Sequence, residues 1–318
     1  MANDLKLGII IPCFNEQEVI VSSIRKVTAL LQSCIAAGTI APDSFIGLVD
    51  DRSTDGTWEI IKQESTQNKN ILGIRLSANR GHQNALFAGL MEFNKHADCI
   101  ISLDADLQDD IYVIPEMIEK FRQGSEIVYG VRNKRNSDTG FKRVSAKGFY
   151  RLMSMFGTKL VKDHADFRLT SHRVLDELKN FGEVNLFLRG MFPLMGFNTS
   201  VVYYERGQRT AGESKYPLRK MISLALDGIT SYSIVPLRII TVLGFMVFFI
   251  CVALMIYAVL SYLTHKTIAG WFSTVLPFYF LGGIQILCLG IIGEYMGKIY
   301  KEVKRRPRYI IDESTEHH

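Results

Sequence analysis

The sequence predicts an α/β fold: a doubly wound, mostly parallel sheet followed by a C-terminal two-helix transmembrane hairpin. Three observations carry this. Short apolar runs alternate with helical stretches through the first part of the chain. Polar clusters fall just past the ends of those runs. Two long stretches near the C-terminus, Ile239 to Leu263 and Thr267 to Gly293, hold no charged residue.

The runs "LGIIIP" (7–12), "FIGLVD" (45–50), "ILGIRL" (71–76), "CIISLD" (99–104) and "EIVYGV" (126–131) read as buried strands. Between them, "EQEVIVSSIRKVTALLQSC", "GTWEIIKQES", "GHQNALFAGLMEFNKH" and "VIPEMIEKFRQG" read as helices. Strand–helix alternation implies a parallel sheet with helices on both faces. Each uncharged stretch near the C-terminus reaches the ~20 residues that cross a bilayer core as a helix. Only "THK" lies between them, so they form a hairpin with a short turn.

Basic residues flank the hairpin. Lys215, Arg219, Lys220 and Arg238 precede it, and Lys298, Lys301, Lys304, Arg305, Arg306 and Arg308 follow it. The positive-inside rule then places the catalytic domain and both chain ends in the cytoplasm, on the inner (plasma) membrane. "MANDLKLGIIIPCFNE" lacks the basic n-region and small-residue cleavage site of a signal peptide. The five cysteines are scattered and show no CxxC spacing, which fits a reducing compartment and indicates neither a disulfide framework nor a zinc site. The net charge of +5 clusters beside the hairpin, where a bilayer accounts for it, so no nucleic-acid partner is expected.

The expected organisation is a catalytic domain over 1–214, an amphipathic interfacial linker over 215–233, and the hairpin over 234–297. Its helices span about 236–263 and 271–295, and a basic cytoplasmic tail follows over 298–318. The segment 141–160 interleaves basic and aromatic residues and suits a headgroup-level helix. Glycines 282, 283, 290, 293 and 297 would allow close helix approach, and a homo-oligomer is expected.

In doubly wound sheets ligands bind past the carboxyl ends of the strands. Four such ends here are polar: "PCFNE", "DDRSTDGT", "DADLQDD" and "GVRNKR". No GxGxxG follows the first strand, which disfavours a dinucleotide site. Asp104 and Asp106 leave their strand at alternate positions, and Gln108 adds a neutral oxygen. Hard ligands at that spacing suit Mg2+ or Mn2+ with open positions for phosphate. Asp109 and Asp110 read as caps for the helix that follows.

"IPCFNE", "VDDRSTDGT", "DADLQ", "DFRL" and "RTAGESKY" together resemble family 2 glycosyltransferases of GT-A fold. Within that family the resemblance is to polyprenyl-phosphate glycosyltransferases, and it runs from about Leu7 to Arg308. It implies a nucleotide-sugar donor and a polyprenyl phosphate acceptor. It places the nucleotide-sugar pocket on Pro12, Phe14, Glu16, Asp51, Asp104, Ala105 and Asp106. The metal site falls on Asp104, Asp106 and Gln108, and the diphosphate-facing cations on Arg132, Arg209 and Lys215. Asp166 falls beside the acceptor and the sugar, unless it merely pairs with Arg168, which is otherwise a candidate for the acceptor phosphate. Two positions depart from the pattern: Arg52 stands where glycine is common, and Asp110 where proline is common.

The implied activity is inverting transfer of one hexose, glucose from UDP-glucose, to undecaprenyl phosphate. A processive synthase would want a QxxRW-like motif, and neither Trp58 nor Trp271 sits in one. A transporter or scaffold would leave the polar strand ends unexplained.

Overall fold

The computed structural model describes residues 5–132, 164–183, 186–205 and 271–315, with scattered positions between 237 and 260. The described residues fall into two compact units. One holds 5–132, 164–183, 186–205 and 305–315, and the other holds the described residues between 237 and 304.

The first unit is built on one eight-stranded sheet. Its strands are β1 (Leu7–Cys13), β2 (Phe45–Asp50), β3 (Ile71–Leu76), β4 (Cys99–Ser102), β5 (Ile127–Arg132), β6 (His164–Ser171), β7 (Thr199–Tyr204) and β8 (Ile311–Ser314), in the order β7-β5-β6-β4-β1-β2-β3-β8. The pairs β1–β2, β1–β4, β2–β3 and β5–β7 are parallel, while β6 runs antiparallel to β4 and β5, and β8 antiparallel to β3. The five strands read from the sequence are present within a residue or two, and the sheet is mostly parallel as expected.

Helices cover both faces. They are α1 (Ile20–Ala36), α2 (Thr57–Gln67), α3 (His82–Phe93), α4 (Ile114–Arg122), α5 (His172–Leu178) and α6 (Leu188–Leu194). β1 shows why the sequence folds this way. Its side chains alternate between faces, and both faces are apolar. Leu7, Ile9 and Ile11 pack with Ile24, Val27 and Leu31 of α1 and Met117 of α4, whereas Ile10 packs with α3, α5 and α6. α3 lies closest to the sheet. A side chain at Gly89 would stand 2.5 Å from Ile10 and 2.6 Å from Val49, so glycine sets how near that helix sits.

The expected basic tail over 298–318 needs correction. Residues 305–315 belong to the catalytic unit, and Ile311–Ser314 are its edge strand. Side-chain chemistry draws them there. Asp312 pairs with Arg52, Glu313 with Arg75 at 3.2 Å, and Thr315 Oγ1 accepts from Gly73 N at 2.8 Å. Arg308 was expected among the headgroup-facing cations. Its guanidinium instead lies 4.5 Å over the Phe87 ring, and it donates to the Phe181 carbonyl.

In the second unit α7 (Trp271–Val303) is one helix of 33 residues that contains Pro277 and continues beyond the 295 expected, with no proline between there and Pro307 to stop it. Among the described residues, no helix is long and apolar enough to cross a membrane. The linker 215–233 and the segment 141–160 lie outside the described residues.

Candidate active site

The loops after β1 and β2 are laced together. Asn15 Oδ1 accepts from Thr54 N at 2.8 Å, Glu16 N donates to Thr57 Oγ1 at 2.9 Å, and Gly56 N donates to Gln17 Oε1 at 2.9 Å. Pro12 lies within β1, Phe14 just past it is 44% exposed, and the Glu16 carboxyl feels the charges of Asp106, Asp55 and Asp104. Asp51 is buried, and its carboxylate takes the amides of Arg80 at 2.7 Å and Gly81 at 2.8 Å. That contact fixes the entry to α3 and so the place of His82. Arg52 adopts φ 60°, where a side chain costs about 1 kcal/mol over glycine. Its guanidinium pairs with Asp312 of β8.

The turn after β4 carries the two aspartates. Leu107 at φ 43° closes it, and Ser23 of α1 anchors it by donating to the Ala105 carbonyl at 2.6 Å. Gln108 donates its amide to Asp106. Burial, then the charges of Asp106, Asp55 and Asp104, push the Glu16 carboxyl above its ordinary range. Burial also raises Asp104, helped by Asp166, Asp109 and Asp106 against the opposing His82. Among the described residues, no group of three His, Cys, Asp or Glu could hold a metal ion. Two aspartates and an amide still fit a hard divalent ion that takes its other ligands from phosphate and water.

Asp110 caps the turn before α4, accepting from Tyr112 N at 2.9 Å. Asp109 does not cap. It is buried against Arg132 (2.8 Å) and Tyr204 Oη (2.6 Å), so that Arg132, at the end of β5, is matched one to one by a carboxylate.

Asp166 on β6 gathers the largest polar cluster. Arg168 donates to it at 2.8 Å, Arg189 of α6 grips it with Nε at 3.1 Å and a terminal nitrogen at 2.9 Å, and Gln83 donates at 3.2 Å. His82 Nε2 stands 3.6 Å from both Asp166 and Asp104, linking the cluster to the metal-type turn. Burial would raise the Asp166 carboxyl, but His82, Arg168 and Arg189 outweigh it and hold the group well below the usual range. A carboxylate so held is a poor base.

Arg168 is a correction. Expected as a candidate for the acceptor phosphate, it is 1% exposed, paired to Asp166 and stacked 4.4 Å from the Phe192 ring. A substrate cannot reach it. Arg209 and Lys215 lie outside the described residues. Sequence reasoning passed over His82, Gln83 and Arg189. The first two sit in "SANRGHQN", the polar end of β3, and the strand-end argument applied to the other four runs would have found them. Nothing near Arg189 in the chain announces its partner on β6.

Among the described residues, acidic and basic side chains gather at the strand ends of one sheet, where ligands of such sheets bind. The family model for glycosyl transferase family 2 matches residues 8–179, and one described as the GtrB C-terminal hairpin matches 235–299. The chain belongs to glycosyl transferase family 2 and is a glycosyltransferase. It is 51% identical to the uncharacterized glycosyltransferase YkoT of Bacillus subtilis (strain 168), over 96% of this chain and 91% of that one. It is 36% identical to the SfII prophage-derived bactoprenol glucosyl transferase of Shigella flexneri, over 98% of each chain. The prophage bactoprenol glucosyl transferase homolog of Escherichia coli (strain K12) is 35% identical over 96% of this chain and 98% of that one.

Proposed function

We propose that this enzyme transfers one glucose from UDP-glucose to polyprenyl (undecaprenyl) phosphate at the cytoplasmic face of the inner membrane, with inversion. The observation that carries the reading is the order of groups across the strand ends. The loops of β1 and β2 that would take the nucleotide come first, then Asp104 and Asp106, then the Asp166 cluster on β6. The names of the Shigella relatives support glucose and the bactoprenol-type acceptor.

In the reaction an oxygen of the acceptor phosphate attacks the anomeric carbon. The bond from that carbon to the donor diphosphate breaks, and its electron pair leaves with the nucleoside diphosphate. One displacement inverts the centre. Asp104, Asp106 and Gln108 would hold Mg2+ or Mn2+, which would supply positive charge to the leaving diphosphate. Arg132, Arg209 and Lys215 are proposed to face the diphosphate as the resemblance implies, Arg132 while paired to Asp109. No general base is required, because a phosphate monoester with a second pKa near ~6 is largely ionised at pH 7. Asp166, held as an anion by its partners, orients its neighbours.

The hairpin over 234–297 is proposed to cross the bilayer with both ends cytoplasmic, in a homo-oligomer. The uncharged stretches and the basic residues flanking them support this. The test incubates the full chain with radiolabelled nucleotide-sugars, polyprenyl phosphate and Mg2+, then extracts lipid into organic solvent. Label in the organic phase from UDP-glucose is the expected result. Label that stays in water for every nucleotide-sugar would sink the reading.

A further inference from the structure

We propose that Arg189 binds the phosphate of the acceptor, a role the sequence reading had offered to Arg168; this rests on the acceptor being a lipid phosphate. Three observations lead there.

The first is the guanidinium's geometry. An arginine carries five N–H donors in a fixed plane. Arg189 spends two on Asp166, through Nε and one terminal nitrogen. The edge between its two terminal nitrogens remains, and that edge is the one that meets two phosphate oxygens side by side. Because Asp166 grips the adjacent Nε edge, this edge is held in place before any ligand arrives.

The second is charge. Of the three arginines at this end of the sheet, Arg132 is matched by Asp109 and Arg168 is sealed in the core. Asp166 supplies one negative charge to both Arg168 and Arg189. That carboxylate is shared between the two guanidiniums, and Arg189 is the member that solvent reaches, with 40% of its side chain exposed.

The third is position. Glu16, in the β1 loop, feels Asp106 and Asp104; Asp104 reaches His82; His82 reaches Asp166; and Asp166 holds Arg189. Arg189 thus closes the row at the end opposite the nucleotide loops, with the aspartates between. A sugar held at the aspartates would have its donor diphosphate on one side and Arg189 on the other, where an attacking oxygen must stand for inversion.

The experiment uses the full chain in detergent micelles and compares wild type, Arg189→Gln and Arg189→Lys. Farnesyl phosphate is the binding probe, with phosphatidylglycerol as the arm that separates a monoester acceptor from an ordinary headgroup. UDP-glucose binding with Mg2+ is measured in parallel. R189Q should weaken farnesyl phosphate binding at least ~10-fold, the scale of a lost charge-assisted pair, and raise the KM for polyprenyl phosphate similarly. R189K, which keeps the charge without the fork, should fall between, and is the variant to read if R189Q does not fold. UDP-glucose affinity should stay within about twofold, and phosphatidylglycerol should bind weakly to all three. Farnesyl phosphate bound equally by wild type and both variants, or a loss confined to UDP-glucose, overturns the proposal. If wild type binds the probe through Arg189 yet glucosylates no polyprenyl phosphate, the acceptor site stands and the proposed function falls.

Discussion

Arg168 and Asp166 stand two residues apart on β6 and meet through a 2.8 Å hydrogen bond, the arginine 1% exposed and the aspartate 4%. Alternate residues of a strand share a face, so the pair forms within one strand. Removing one partner leaves the other charge buried. Asp166→Asn should therefore destabilise the domain by roughly 3 kcal/mol, read as a lower midpoint in chemical denaturation. A midpoint unchanged from wild type would mean that Phe192 and water suffice for Arg168.

The same carboxylate has a pH consequence. Its folded pKa lies below the unfolded value of ~3.9. Its contribution is complete above that value and is lost as pH falls through the folded pKa. Transfer rates should show no limb from Asp166 between about pH 5 and 8. A limb in that range that disappears in Asp166→Asn would make Asp166 a titrating base and contradict this account.

Glu16 and Asp104 behave oppositely. Their folded pKa values are raised above the unfolded ones, so the native state holds extra protons just above the ordinary carboxylate range. Metal-free protein should gain stability as pH drops from neutral toward 5. Saturating Mg2+ or Mn2+ should flatten that trend, because bound cation replaces the protons. Thermal melting at several pH values, with chelator and with metal, checks it; identical profiles would argue against a cation at this cluster.

Asp106→Ala should cut transfer at least ~100-fold without lowering the melting temperature of the metal-free protein, since it removes a charge from a crowded acidic cluster. Chelation should abolish wild-type activity and either ion restore it. Full activity in a metal-free preparation would refute the metal assignment.

Trp58 Nε1 donates to Glu313 at 2.9 Å, and Arg75 takes the other carboxylate oxygen at 3.2 Å. Glu313→Ala should lower the melting temperature by leaving the indole N–H without its partner. Its fluorescence should shift, read against Trp271 as the second tryptophan. An unaltered melting curve would show that β8 contributes little.

The central strands were legible because parallel strands buried on both faces read as continuous apolar runs. β6 was not, since "HADFRLTS" carries Asp166 and Arg168 in its middle and looks like a loop motif. β8, "IDES", is short and acidic, and only pairing to β3 makes it a strand. The Asp104 turn and its neighbours could be read directly, as each lies at the end of a recognisable run. The contacts that changed the reading, Arg189 to Asp166 and Arg132 to Asp109, join residues on separate elements and needed the fold to be seen.

The order of synthesis gives the eighth strand a further meaning. Arg75 and Glu313 meet across 238 residues of sequence. At ~5–20 residues per second, the edge of β3 waits roughly ten to fifty seconds after leaving the ribosome before its neighbour exists. During that interval the nascent domain exposes an unpaired strand edge, a template for wrong pairing; Arg52 and Trp58 lack their acidic partners, and Arg75 has only Asp50. The sheet closes only after everything encoded between those residues, α7 included, has been made. A chaperone or neighbouring nascent chain competing for that edge would find its opening there, and a chain stalled within α7 would present a domain with every site residue described here and one side left open.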